Sequence, residues 1–106
     1  MSLPEISKLK SILVEARKAF NNCEQRGNQG GCARVYIQLL KMPRKGSKAY
    51  NLINDYFKIF NRPYGVGRAL YCGYDNATGA EWFKAHAAAK VFEENGIQCY
   101  VDADMD

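Results

Sequence analysis

Apolar residues recur along this chain at two intervals, and the switches between them mark its elements. Ile6, Leu9, Leu13, Ala16, Phe20 and Cys23 follow one another at steps of three and four, widened by Ile12 and Ala19. That is the stripe of an amphipathic helix, predicted over about residues 4–25. Ser2-Leu3-Pro4-Glu5 has the spacing of a capping box at its start, and the glycines from Gly27 to Gly31 end it. The period then drops to two. Ala33, Val35, Ile37 and Leu39 alternate with Arg34, Tyr36 and Gln38, as a strand with one buried face requires. Gln38 to Met42 are also good helix formers, which keeps a helical reading of this segment open.

Three-four spacing returns at Ala49, Leu52, Ile53, Tyr56, Phe57 and Phe60. It predicts a second helix, capped by Ser47 and stopped by Asn61-Arg62-Pro63. The last forty residues spell strand, turn, helix, turn, strand. Arg68 to Gly73 is the first strand. Thr78-Gly79-Ala80-Glu81 is a capping box that opens a helix over about 79–94, with a broad face of small residues from Ala85 to Ala89. Asn95-Gly96-Ile97 is a C-terminal stop, and Ile97, Cys99 and Val101 alternate in a final strand. A strand, a helix of this length and a strand predict a parallel βαβ unit over 67–102. The whole reads α-β-α-β-α-β. The expectation is an α/β fold, one small domain over 1–106 with about three strands, three helices and an N-terminal amphipathic helix.

Charge sharpens this picture. The net charge is +4, too small to dictate a nucleic-acid partner, but it is unevenly spread. Residues 1–48 hold ten Lys and Arg against Glu5, Glu15 and Glu24, while the chain closes on Asp102, Asp104 and Asp106. No apolar run approaches the ~20 residues of a membrane span, and the N-terminus is charged throughout. The expectation is a cytoplasmic protein, with no membrane partner, whose four cysteines stay reduced.

Candidate chemistry is sparse. Cys23, Cys32, Cys72 and Cys99 have no Cys-x-x-Cys spacing, and His86 is the only histidine, so a zinc site is not expected. Cys72 and Cys99 read as small buried hydrophobes on neighbouring strands, and Cys23 and Cys32 as a pair that oxidation could join. Gly65-x-Gly67 precedes a strand, whereas a dinucleotide fingerprint follows one. No cofactor is expected. In parallel α/β units ligands bind beyond the strand ends, where Asp75, Asp102 and Asp104 would gather. Carboxylates so placed suit Mg²⁺ and a phosphotransfer or nuclease reaction, and Asp75 would repel a phosphate from the helix start behind it. The plainer reading of these residues is turn capping and a solvated terminus.

The best binding candidates are the basic loop residues Lys41, Arg44, Lys45 and Lys48, with Arg34 and Tyr36 on the exposed strand face and Tyr50 and Tyr64 near loop ends. Cations beside rings suit a phosphate backbone or an acidic protein face. The leading expectation is a non-enzymatic adaptor or inhibitor that binds a protein, or a second copy of itself through helix 4–25 or an aromatic face. Nucleic-acid binding by loop 41–48 is the second reading, and metal-dependent chemistry at Asp75, Asp102 and Asp104 the third.

Overall fold

Among the described residues, three helices and four strands follow in the order α1 (Ile6–Asn22), β1 (Ala33–Leu39), α2 (Lys48–Tyr56), β2 (Ile59–Asn61), β3 (Arg68–Asp75), α3 (Ala80–Glu94) and β4 (Cys99–Met105). This computed structural model describes residues 3–23, 33–62, 67–75 and 80–105, and of 74, 75, 80, 104 and 105 the backbone alone. The four strands form one sheet in the order β2-β3-β1-β4, and every neighbouring pair is antiparallel.

The parallel βαβ unit is therefore corrected in one respect. β3 and β4 do run in the same direction, and α3 does cross between them. They do not pair, because β1 lies between them, antiparallel to both. The crossover is split, and β1-α2-β2 is split in the same way around β3, giving β-α-β-β-α-β connectivity with an added helix in front. Cys72 and Cys99, expected on adjacent strands, are separated by β1 for the same reason.

Each helix forms where its local signals place it. α1 buries Leu9, Ile12, Leu13, Ala16 and Phe20 of the predicted stripe in the common core and leaves Ile6, at its start, exposed. Glu5 is the N-cap residue rather than the third residue of a capping box, and its carboxylate accepts from the Ser7 hydroxyl at 3.3 Å. Ser47 caps α2, its Oγ accepting from the Tyr50 N–H. α3 ends in a Schellman motif: Gly96 takes φ +82°, its N–H donates to the Glu93 carbonyl, and Ile97 N–H reaches back to Phe92 O at 2.9 Å. The Thr78–Glu81 box lies outside the described residues.

The second helix is shorter than predicted. It stops at Tyr56, and Ile59 to Asn61 form a strand. The Asn54 side chain accepts from Ile59 N–H at 2.9 Å, which turns the chain away from the helix axis. Arg62 N–H then donates to Gly67 O and closes β2 onto β3. β3 carries a bulge opposite Val35 and Tyr36. Gly73 occupies it at φ +132°, where an added Cβ would stand 3.3 Å from Cγ of Glu81. β4 is longer than predicted and takes Asp102 and Asp104 into the ladder, opposite Tyr36 and Arg34.

All three helices contribute to one core on a single face of the sheet. Val35, Ile37 and Leu39 of β1 meet it from below, with Ile59, Leu70 and Cys72 beside them. Ala85, Ala88 and Ala89 keep α3 close to both α1 and the sheet. Phe57, just past α2, is the hub: its ring meets Phe20 of α1 edge-on at 6.1 Å and Phe92 of α3 at 5.8 Å. The Arg17 guanidinium lies over both Phe20 and Phe57, at 4.7 and 5.2 Å from their centroids.

Phe57→Ala should cost about 3–5 kcal/mol of unfolding free energy, because the lost ring leaves a cavity that three elements share. Urea denaturation followed by circular dichroism checks this, and a loss below about 1 kcal/mol would show that the three helices do not depend on this ring.

The open face of the sheet as candidate functional site

The alternation that sends Val35, Ile37 and Leu39 into the core sends Arg34, Tyr36 and Gln38 to the opposite face. Paired residues of an antiparallel ladder share a face. The register therefore adds Tyr71 and Ala69 from β3, Phe60 from β2 with Lys58 before it and Arg62 after it, and Tyr100 and Asp102 from β4. One row runs across the whole sheet. Lys58 O accepts from Tyr71 N–H, Tyr71 pairs with Tyr36, and Tyr36 pairs with Asp102.

Rings and guanidinium groups interleave on this face. Phe60 stands edge-to-face with Tyr36 at 5.9 Å and with Tyr71 at 6.0 Å. Arg62 starts beyond β2 and reaches β1, so it crosses β3. Its guanidinium lies 4.5 Å from the Tyr36 centroid, and Nη1 donates to Gln38 Oε1 at 3.2 Å. Gln38 in turn donates to Arg68 O at 2.8 Å. The β3 residue in the path of these crossings, Ala69, is small and has no exposed surface. Tyr36 is covered entirely as well, so this face carries its own packed layer. Arg34 lies over the Phe60 ring at 5.5 Å. Such contacts contribute about 0.5–2 kcal/mol each, more as water is excluded. Beside this layer, Arg34, Lys58, Phe60 and Tyr71 line an open groove of about 320 Å³.

The residues singled out from sequence fall into separate places. Arg34 and Tyr36 lie on the open face, Arg34 half-buried and Tyr36 beneath the others. Lys41, Arg44, Lys45 and Lys48 are exposed, but in the loop after β1. Five residues of strand separate Arg34 from that loop, or roughly 16–20 Å. The cations thus form two regions rather than one. Tyr50 is half-buried against the helix-side core, with the Arg68 guanidinium 5.7 Å from its ring. Tyr64 lies outside the described residues.

The three aspartates are divided by the register. Asp75 of β3 pairs with Ala33, whereas Asp102 and Asp104 of β4 pair with Tyr36 and Arg34, so β1 stands between Asp75 and the other two. Asp102 is exposed, and its Oδ1 accepts from Ala103 N–H at 2.8 Å. Among the described residues, no three His, Cys, Asp or Glu side chains stand close enough to hold a metal ion. His86 is exposed on α3, its ring edge-to-face with Trp82 at 4.9 Å.

Lys58, Phe60, Arg62 and Tyr71 were not predicted as site residues. A signal existed for three of them: Lys58, Phe60 and Arg62 alternate with Ile59 and Asn61 at period two. Phe60 also fits the three-four spacing of α2, and that helical match hides the strand.

Burial holds the thiols of Cys72 and Cys99 in their protonated form. Burial pushes Cys72 up to about 12, with Glu81 adding to the rise and Arg17 opposing it. Burial, then Glu93, pushes Cys99 up to about 12 as well. Each thiol donates to a carbonyl, Cys72 to Leu70 O and Cys99 to Ala89 O. No helix among the described residues is long and apolar enough to cross a membrane. No protein-family model, curated protein or solved structure matches this chain.

A thiol raised from 9.0 to about 12 has about a thousandfold less thiolate at pH 8. Alkylation of Cys72 by iodoacetamide, followed by peptide mass spectrometry, should therefore be slower in the native protein than in urea by at least that factor. Because the folded-state value is raised, the thiol form is retained up to about pH 12. Stability linked to it is complete below about pH 9 and declines as pH rises towards 12. Equal alkylation rates in both states would contradict the burial of this side chain.

Proposed function

We propose that this chain is a non-enzymatic nucleic-acid-binding protein that takes single strands on the open face of its sheet. The observation that carries this reading is the groove beside Phe60 and Tyr71, flanked by Arg34 and Lys58. Single strands are held by a surface that offers rings to the bases and cations to the backbone. Here the two kinds of group alternate within one groove. The net charge of +4 adds a general attraction, and the basic loop 41–48 supplies a second cationic region for the flanking strand.

A protein partner is the competing reading. Protein interfaces are usually anchored on clustered aromatic and aliphatic side chains. Among the described residues, the exposed large apolar side chains Ile6 and Phe83 lie on α1 and α3, and Leu40 and Tyr100 lie near each other where β1 ends against β4. The aromatic residues that do cluster, Phe60 and Tyr71, do so among cations. Metal-dependent phosphotransfer has less support, since β1 stands between Asp75 on β3 and Asp102 and Asp104 on β4.

Fluorescence anisotropy with a labelled single-stranded oligonucleotide tests the proposal. Affinity should fall as salt rises, with a log–log slope of about −0.7 for each phosphate neutralised. Arg34→Gln with Lys58→Gln should weaken binding and flatten that slope by about one unit or more. Neutralising Lys41, Arg44, Lys45 and Lys48 together should weaken it uniformly across sequences. Absence of salt-sensitive binding to any single strand at micromolar protein would refute the reading and favour a protein partner.

A further inference from the structure

We infer that the corner formed by Tyr100 and Leu40 is a second subsite for the bound strand, where one base stacks on Tyr100 and the adjoining phosphates pass to loop 41–48. This rests on the single-strand reading given above, but on residues other than those of the groove at Phe60.

The ring comes first. Tyr100 pairs with Gln38 and so stands on the open face, at its β4 edge. It is 42% exposed, and its side chain has no hydrogen-bond, cation or ring partner among the described residues. The other rings of this face, Tyr36, Phe60 and Tyr71, each pack against a neighbour. A base can therefore lie on Tyr100 without displacing an existing contact. Leu40 N–H donates to Gln98 O, one step past the last ladder pair, Leu39 with Cys99. That sets Leu40 diagonal to Tyr100, at ~7–8 Å. Leu40 is 57% exposed and extends the apolar surface beside the ring.

Charge sets the direction. Lys41 follows Leu40 directly, and residues 41–48 hold Lys41, Arg44, Lys45 and Lys48 with no carboxylate. All four are exposed, and none has an ion-pair partner among the described residues. The loop has a defined shape. Met42 packs against the core, Ser47 N–H donates to Arg44 O at 3.0 Å, and Gly46 takes φ +86° at the third position of that turn. On the other side of Tyr100, two residues along β4, stands the exposed Asp102. A phosphate is repelled there and drawn to the loop. A polyanion that carries flat rings matches a free ring followed by four unpaired cations. An acidic protein segment would use the cations but has no comparable need of the ring.

Photo-crosslinking tests this on the wild-type protein. A single-stranded 8-mer carrying 5-iodouracil should label the peptide that holds Tyr100, as read by mass spectrometry. Equilibrium binding then compares the plain 8-mer with an abasic backbone of equal length and charge. Tyr100→Ala should weaken the plain strand about tenfold, the effect of losing one stacked base, and leave the abasic one unchanged. Tyr100→Phe should bind both as the wild type does. Strand binding with no label at Tyr100 and no loss in Tyr100→Ala would overturn the subsite while leaving single-strand binding in place. Failure of every strand to bind would overturn both. Binding of poly-glutamate instead, lost in Leu40→Ala, would assign the corner to an acidic protein. The labelling does not depend on any variant folding.

Discussion

β1 is the constraint on which the rest of the structure depends. It hydrogen-bonds on both edges, to β3 and to β4, and it is covered on both faces. Val35, Ile37 and Leu39 carry the helices, and Tyr36, beneath Arg62 and beside Phe60, carries the opposite layer. A slip of one residue in its register would exchange these sets, putting a guanidinium into the apolar core and three aliphatic chains onto the open face. Occupying the seat between β3 and β4, it also makes those strands run the same way without touching.

The open-face layer is unusual in being packed without being apolar. Arg62 spans a strand to reach Tyr36 and Gln38, and the small side chain of Ala69 leaves it room. A larger residue at that position would force the guanidinium outward and expose the tyrosine ring. Arg34 lies over Phe60 in the same manner. These contacts hold rings and cations in defined positions. In the proposed reading that order reduces the cost of binding, and stability and recognition draw on the same side chains, Phe60 above all.

Much of the fold was legible because it is written locally. The α1 stripe, the Ser47 cap, the alternation of 33–39 and the Asn95-Gly96-Ile97 stop each lie within one or two turns of chain, and each formed as its spacing requires. The candidate site was legible only in part. Arg34 and Tyr36 stood out on β1, but their partners Phe60, Arg62 and Tyr71 come from residues that are 24 or more positions away. The segment 57–62 satisfies two periods at once. Phe57 and Phe60 match a helix, while Lys58, Phe60 and Arg62 match a strand, and the Asn54 side chain together with pairing to β3 decides for the strand.

By itself the sequence determined which face α1 and β1 bury, where α3 stops, and that α3 must carry the chain back to a strand codirectional with β3. These follow from residue spacing and from backbone groups that must be satisfied within a few residues. Only the tertiary structure decided strand order, the separation of Asp75 from Asp102 and Asp104 by β1, and the meeting of Phe60, Arg62 and Tyr71 with Tyr36. Those depend on which strand fills the seat between β3 and β4. Packing among distant segments settles that choice, and no local pattern encodes it.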